Sequence, residues 1–276
     1  MISRRKFLIY LLGLFGVSFF SYGFYERKKF KVEKLNFPSE KWAGDPLKII
    51  FLTDLHRGPF TGLKFIEKIS EVVLNLKPDL LIFGGDYIYA SINYLKDALE
   101  PFKDLSPIYG KWGVLGNHDN FLGRKKVISN LKENKIELLN NSSIKLISGR
   151  NIFYLFGIDD FKTGSPDVEI ASKYLKEDGL ILGISHNPLI WNKKNINVKP
   201  DLLLSGHTHG GQIDLPFLGP IFLLPGHGRE FYKGLYNLNG KKLYVSRGIG
   251  TIHIPLRIFC PPEITLINIL EKKLRN

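Results

Sequence analysis

The sequence predicts an α/β layered domain with helices covering sheet faces, preceded by one apolar N-terminal helix. Three observations carry this expectation. From Leu47 onward, short apolar runs alternate with segments of helical spacing. Polar clusters follow those apolar runs, where loops leave strand ends in open α/β sheets. Residues 7–25 hold no charge over nineteen positions.

Ser3-Arg4-Arg5-Lys6-Phe7-Leu8 opens this first segment, and Gly13, Gly16 and Gly23 interrupt its Leu, Phe and Tyr content. Nineteen helical residues reach roughly 28 Å, close to the hydrocarbon thickness of a bilayer. A soluble helix of that length keeps a polar face, and none is visible here. Residues 1–25 are therefore expected to act as a signal or transmembrane anchor. Ser-Arg-Arg-x-Phe-Leu resembles the twin-arginine export signal, which moves folded proteins across the bacterial inner membrane. Ile9 stands where that signal often has Lys, and no small-x-small cleavage site follows. An uncleaved anchor is the expectation. Arg27, Lys28, Lys29 and Lys31 after the span at least match Arg4, Arg5 and Lys6 before it, so the positive-inside rule leaves the orientation open. An extracytoplasmic domain is favoured, with the cytoplasmic face as the alternative.

Residues 26–46 read as a basic linker ending in a turn at Gly44-Asp45-Pro46, and residues 47–276 as the domain. Residues 47–53 form a buried strand, and 63–76 a helix through Phe65, Ile66, Ile69, Val72, Val73 and Leu76. Residues 80–83 are a second strand and 92–103 look helical, with further strands at 107–115, 151–158, 180–185 and 201–205. Residues 213–226 are apolar but punctuated by Pro216, Gly219, Pro220, Pro225 and Gly226, as in an extended loop or edge strand. Asn239-Gly240 marks a hairpin, and 264–270 a last strand.

Apolar residues make up 44% of the 276, enough for a sizeable core. Cys260 is the single cysteine, which excludes an intrachain disulfide and a thiolate zinc site. Of the net +13, residues 1–34 supply +6 (eight Lys/Arg against two Glu), leaving +7 for the other 242. The most basic segment flanks the apolar one, which favours an anionic membrane surface as partner. No nucleic-acid-binding motif accompanies the charge, so nucleic acid is not expected. No obligate protein partner is inferred.

Five polar clusters follow strand-like runs: Asp54 and His56; Asp86; Asn117, His118 and Asp119; His186; His207 and His209. They contain five of the seven histidines, which argues against chance scatter. Singly the clusters are weak: an Asp-x-His is more often a turn, and a lone His186 more often structural. As an ordered set they are specific. Carboxylate, imidazole and amide donors suit Mn²⁺, Fe or Zn²⁺, and two such ions about 3.5–4 Å apart serve displacement at phosphorus.

Asp-x-His, Gly-Asp, Gly-Asn-His-Asp, His and Gly-His-x-His in this order resemble the calcineurin-like metallophosphoesterases, over roughly residues 47–270. The resemblance implies a layered sandwich of two mixed β-sheets flanked by helices. It implies two divalent ions, Mn²⁺ first with Fe or Zn as alternatives. Asp54, His56, Asp86 and His209 would bind one ion, and Asp86, Asn117, His186 and His207 the other, with Asp86 bridging. It further implies in-line attack on phosphorus by hydroxide held at the ions. His118 is then free to contact a phosphoryl oxygen or protonate the leaving group, with Asp119 orienting it and holding it charged.

Gly210-Gly211-Gln212, Ser246-Arg247-Gly248, Pro255-Leu256-Arg257 and Pro261-Pro262-Glu263, with the twin-arginine-like start, resemble the membrane-anchored phosphodiesterase subgroup that includes YkuE-like and YaeI-like proteins. That resemblance implies a phosphodiester or pyrophosphate substrate, with lipid-linked ones such as UDP-2,3-diacylglucosamine of lipid A synthesis as the expectation. An exported enzyme with a soluble or cell-wall substrate is the alternative, and a non-catalytic scaffold a minor one. Arg57 and Arg247 are candidate phosphate contacts, since a planar guanidinium matches phosphate oxygens. The run 213–224, with Phe217, Leu218, Ile221 and Phe222, is an acyl groove, a membrane-dipping loop or an ordinary core strand. His227 and His253 fit no motif.

Overall fold

The computed structural model describes residues 3–192, 199–221, 223 and 229–272. The chain begins with α1 (Arg4–Glu26), β1 (Lys31–Ser39), β2 (Leu47–Leu52), α2 (Leu63–Leu76), β3 (Leu80–Phe83), α3 (Leu95–Leu99), β4 (Lys111–Gly113), α4 (Asn117–Glu133) and β5 (Glu137–Leu138). It continues with β6 (Ser142–Ser148), β7 (Asn151–Ile158), α5 (Val168–Ser172), β8 (Leu180–Ser185), β9 (Leu202–Ser205), β10 (Asp214–Leu215) and β11 (Gly219–Pro220). The hairpin β12 (Gly234–Leu238) and β13 (Lys241–Val245) precedes the last strand, β14 (Glu263–Glu271).

Two mixed six-stranded sheets result, ordered β1-β14-β2-β3-β4-β5 and β12-β13-β9-β8-β7-β6. The strands alternate their side chains between two apolar layers. Ile49, Phe51, Leu80 and Ile82 of the first sheet pack against Phe153, Leu155, Leu182 and Leu204 of the second. Their neighbours Ile50, Leu52, Leu81 and Phe83 point the other way, onto Ile66, Ile69 and Val73 of α2 and Val127 and Leu131 of α4. The outer face of the second sheet, with Tyr154, Phe156 and Leu203, is covered by Val168 and Ala171 of α5 and by Ile190 and Trp191. Burial on both faces explains why these strands read as unbroken apolar runs. Each such buried side chain contributes roughly 1.5–3 kcal/mol.

The predicted helix at Leu63–Leu76 and the strands at 80–83, 151–158 and 180–185 stand at those bounds. Asn239 and Gly240 both take positive φ in the expected hairpin turn. Four expectations change. Residues 31–39 are not linker: they pair in parallel with β14, Lys31 against Glu263 through Ser39 against Glu271. Residues 92–103 hold only the five-residue α3 between two 3₁₀ turns. Residues 117–133 form the unexpected α4, kinked at Gly123. The apolar run from Ile213 is no core strand: β10 and β11 make a short hairpin whose tip exposes Phe217 and Leu218. Phe222, Leu224, Pro225, Gly226 and His227 lie outside the described residues.

α1 is long and apolar enough to cross a membrane, and its side chains from Phe7 to Phe15 are exposed. Its last turn belongs to the domain. Gly23 leaves room for Ile258 and Leu256, so that a Cβ there would lie 3.0 Å from Ile258 Cγ1. The Arg257 amide donates to Gly23 O at 3.2 Å, and the Cys260 amide to Glu26 Oε2 at 3.3 Å.

Candidate metal centre

Each cluster leaves the C-terminal end of a strand in the parallel part of a sheet. Asp54 and His56 follow β2, Asp86 follows β3, and residues 117–119 follow β4. His186 follows β8, and His207 and His209 follow β9. The loops continue the ladder past the strands: Asp54 N donates to Gly85 O at 2.9 Å and His56 N to Asp86 O at 3.0 Å. Gly206 N likewise donates to His186 O at 3.0 Å. Asp54, His56, Asp86, His207 and His209 all take positive φ, between 41° and 70°. Non-glycine residues rarely adopt that region, and such strain collects at functional sites.

The side chains converge. His56 Nε2 lies 3.1 Å from His209 Nε2 and 3.7 Å from Asp54 Oδ1. His209 Nε2 is 3.4 Å from the same Asp54 oxygen. Asp86 Oδ2 stands between two imidazoles, 3.4 Å from His56 Nε2 and 3.2 Å from His186 Nε2. Ligand atoms of Asp54, His56 and His209 fall within 4.8 Å of one another, and so do those of Asp86, His186 and His207. The two groupings have no residue in common, and Asp86 Oδ2 lies between His56 of the first and His186 of the second. His118 joins a further grouping with His56 and Asp86, and its ring meets His56 edge-on at 4.9 Å.

Outer contacts turn the donor atoms inward. His186 Nδ1 meets Gly84 O at 2.8 Å and His56 Nδ1 meets Ile88 O at 3.3 Å, which leaves each Nε2 lone pair for the centre. Asp54 Oδ2 accepts from Thr53 Oγ1 at 2.8 Å and from His207 N at 3.0 Å, so Oδ1 faces the cluster. Among the described residues, buried His186 Nε2 and Asn117 Oδ1 have no hydrogen-bond partner, although His186 Nε2 approaches the Asp86 carboxylate at 3.2 Å. Two orphaned acceptors beside converging carboxylates fit divalent ions, which would supply the missing partner.

The electrostatics agree with a ligand role. Burial pushes the His209 imidazole far down and His207 to about 4, which keeps both neutral. Burial would raise the Asp86 carboxyl, but the charges of His186 and His56 outweigh it and hold Asp86 ionised. Burial also lowers His118, against the raising effect of Asp86. The bottom of the site is closed, while Asn117, His118 and His207 are half-buried at its mouth.

Three expectations about neighbouring residues change. Asp119 does not spend its carboxylate on the His118 ring. It accepts the amides of Gly116 (2.8 Å), Asp86 (2.7 Å) and Tyr87 (2.9 Å), capping α4 and tying two loops together. Burial and the Asp86 charge push its carboxyl up to about 7, against those amide donors. Arg57 is committed to Asp97 at 2.9 Å and to the carbonyls of Gly58 and Thr61. Arg247 pairs with Glu263 and Glu33, each at 2.7 Å. Each guanidinium is thus held by a carboxylate, and the Arg247 side chain packs against Gly210 beside His209.

Other residues at the site carry no motif signal. Lys162 and His253 line a pocket of about 350 Å³ that opens on His207 and His209, with Leu223, Ile252 and Ile254 as its apolar wall and Thr208 and Gln212 as further polar lining. Tyr89 packs against His118 at 5.5 Å and His56 at 5.8 Å, and its hydroxyl accepts the His253 amide at 3.2 Å. Arg257 is wholly buried behind His209, with Nη2 3.5 Å from His209 Nδ1.

Comparison with known proteins agrees with this geometry. Residues 47–211 match the family model of calcineurin-like phosphoesterases. Phosphodiesterase YaeI of Escherichia coli K12 is 32% identical over 98% of this chain and 100% of its own length. The uncharacterized metallophosphoesterase YkuE of Bacillus subtilis 168 is 32% identical over 82% of this chain and 79% of its own. Among solved structures, the sulfate thiohydrolase SoxB of Thermus thermophilus shares the fold at TM-score 0.51 and 12% identity, over 83% of this chain and 57% of that one. The solved structure is thus much longer than the chain. With its motifs, fold and relatives in agreement, the chain belongs to the calcineurin-like phosphoesterase family, the metal-dependent hydrolases of phosphoric esters.

Proposed function

We propose that the chain is a membrane-anchored phosphodiesterase using two divalent ions, with a lipid-linked phosphodiester or pyrophosphate as substrate. The observation that carries this reading is the convergence of six acid and imidazole side chains around Asp86, with His186 Nε2 and Asn117 Oδ1 left orphaned. Asp54, His56, Asp86 and His209 would hold one ion, and Asp86, Asn117, His186 and His207 the other. When bound, such ions stabilise charge on phosphoryl oxygens and make water at the site more acidic. Mn²⁺ is the first choice for these donors, with Fe or Zn²⁺ as alternatives.

The remaining work falls to the chain's own residues. His118 stands half-buried at the mouth, its backbone fixed by donation to Asp86 Oδ1 at 2.8 Å. Burial keeps its ring neutral in the free protein. A neutral imidazole donates one N–H hydrogen bond to a phosphoryl oxygen; once the ring has taken up a proton from water at the mouth of the site, the imidazolium can give it to the leaving oxygen and return to the neutral form. Asp119 positions His118 through the backbone of α4. Lys162, which lines the pocket, replaces Arg57 and Arg247 as the candidate phosphate contact.

Two features support a lipid-linked substrate of the kind that UDP-2,3-diacylglucosamine represents. The pocket beside the ligands is walled largely by Leu223, Ile252 and Ile254. The end of α1 packs on the segment carrying Leu256 and Ile258, which sets the site close to the anchor. We place the anchor in the bacterial inner membrane with the domain on the extracytoplasmic side.

The test uses the full chain with a chromogenic phosphodiester and Mn²⁺. Asp86→Ala is expected to lose both bound metal and hydrolysis. His118→Asn is expected to keep its metal while kcat falls about 10²–10⁴-fold. Full activity in both variants would remove the site assignment. A reporter fused after Asn276 reads the side, and a cytoplasmic signal would reverse the orientation.

A further inference from the structure

A second pocket, of about 300 Å³, lies at the foot of α1. Four cations line it, Arg27, Lys28, Lys64 and Lys68, together with Phe60 and Phe65. It shares a wall with the metal centre: Gly250 faces the pocket on one side and abuts Leu55 O and His56 on the other.

Four cations gather here, and among the described residues no carboxylate lines the pocket beside them. Arg57, Arg124, Arg247, Lys41, Lys233 and Lys241 are each held by a carboxylate. Among the described residues, none of the four pocket cations is in an ion pair. Arg27 stacks over the Phe24 ring at 5.4 Å and donates from Nη1 to Phe60 O at 3.0 Å, but among the described residues its buried Nε has no hydrogen-bond partner. A partly desolvated guanidinium with an idle donor costs stability unless an anion completes it. α2 adds to the positive field, since it starts beside the pocket with no side-chain cap on its first amides.

Position selects the anion. Arg27 and Lys28 directly follow α1. If α1 spans the bilayer, these residues sit at the depth of the lipid headgroups. We propose that this pocket binds the phosphate of an anionic phospholipid headgroup, at a site separate from the metal centre. The inference rests on the reading of α1 as a membrane anchor. The headgroup bridges the end of α1 to α2 and so fixes how the domain sits on its anchor. The aromatic rings of Phe60 and Phe65 lie where the glycerol and upper acyl carbons of a seated lipid would pass.

Full-length protein in neutral detergent, titrated with phosphatidylglycerol and read by native mass spectrometry, tests the proposal. One phosphatidylglycerol is expected to bind, phosphatidylcholine is not, and excess glycerol phosphate is not expected to displace the lipid. K64E/K68E changes exposed positions of α2 and is expected to weaken binding about tenfold or more. An unchanged melting temperature in that variant excludes misfolding. K125E/K126E makes the same charge change on α4 and is expected to leave binding intact. Equal lipid binding by K64E/K68E and the wild type, or equal loss in K125E/K126E, would overturn the pocket. Displacement by glycerol phosphate at lipid-like concentration would overturn the lipid in favour of a soluble anion. Carbonate extraction of cell membranes reads the anchor separately: release of the wild type overturns the span, whereas lost lipid binding with membrane retention overturns the pocket alone.

Discussion

Arg257 has no exposed surface, and its guanidinium donates to the carbonyls of Arg247, Gly250 and Cys260 at 2.6–3.1 Å. Those carbonyls belong to the turn after β13 and to the segment on which Gly23 of α1 packs. One planar group with five donors satisfies them together, which a lysine ammonium cannot do. The turn in question presses on the metal centre, because Gly250 N donates to Asp54 O at 2.7 Å. Arg257→Lys is therefore expected to leave buried carbonyls unpaired, at a cost of about 3 kcal/mol. The melting temperature should fall about 5–10 °C, and calorimetry of the metal-loaded protein checks it. A fall of a degree or less would mean that water replaces the fork. In the sequence this arginine is one of thirty-nine basic residues, and only its place in Pro-Leu-Arg drew attention to it. A buried donor network has no periodicity to reveal it. Asp119 is a similar case: its adjacency to His118 suggested a catalytic partner, whereas the fold turns its carboxylate onto three backbone amides.

Elements were legible where burial imposes a pattern. α2 shows a full apolar face, and β3, β7 and β8 are apolar runs buried on both sides, so their bounds could be read directly. α4 could not, because Gly123 breaks its helical spacing, Leu122 and Ile128 are only partly buried beside Val127 and Leu131, and Phe121 is exposed. β1 alternates from Leu35 through Phe37 to Ser39, but Lys31, Lys34 and Pro38 give it the composition of a linker. Lysine and proline are usual on an edge strand, and β14, its one partner among the described residues, lies at the far end of the chain. The ligand set was legible because strand-end loops keep their chemistry in short motifs. The glycines in those motifs have a testable reason to be there. Gly85 has φ +88°, and a Cβ on it would lie 2.5 Å from Gly116 N, in the loop that starts α4. Gly85→Ala should push the Asp86 loop away from the Asn117 loop and cost about 1–3 kcal/mol in backbone strain. Metal content measured beside thermal unfolding should fall with it. A stable variant with full metal content would show that the two loops are not in register-limiting contact.

Across the whole molecule, the candidate ligands divide between the two sheets. Asp54, His56, Asp86 and Asn117 leave strands of the first, and His186, His207 and His209 leave strands of the second. The apolar layer between the sheets supplies cohesion, but at the strand ends it gives way to buried carboxylates and imidazoles. Without cations, Asp86 relies on His186, which the nearby carboxylates hold toward its charged form despite its burial, while burial pushes His209 and His207 toward the neutral form. Bound ions would thus join the two sheets at the edge where apolar packing stops. Metal occupancy a hundredfold above the dissociation constant stabilises by about 2.7 kcal/mol, which corresponds to about 5–10 °C in a domain of this size. Chelation of the full-length protein should lower the melting temperature by that amount, and added Mn²⁺ should restore it. Asp86→Ala, lacking the shared ligand, should melt at the same temperature with and without chelator. If the wild type also melts identically in both conditions, the ions do not bridge the sheets and the shared-carboxylate arrangement is wrong.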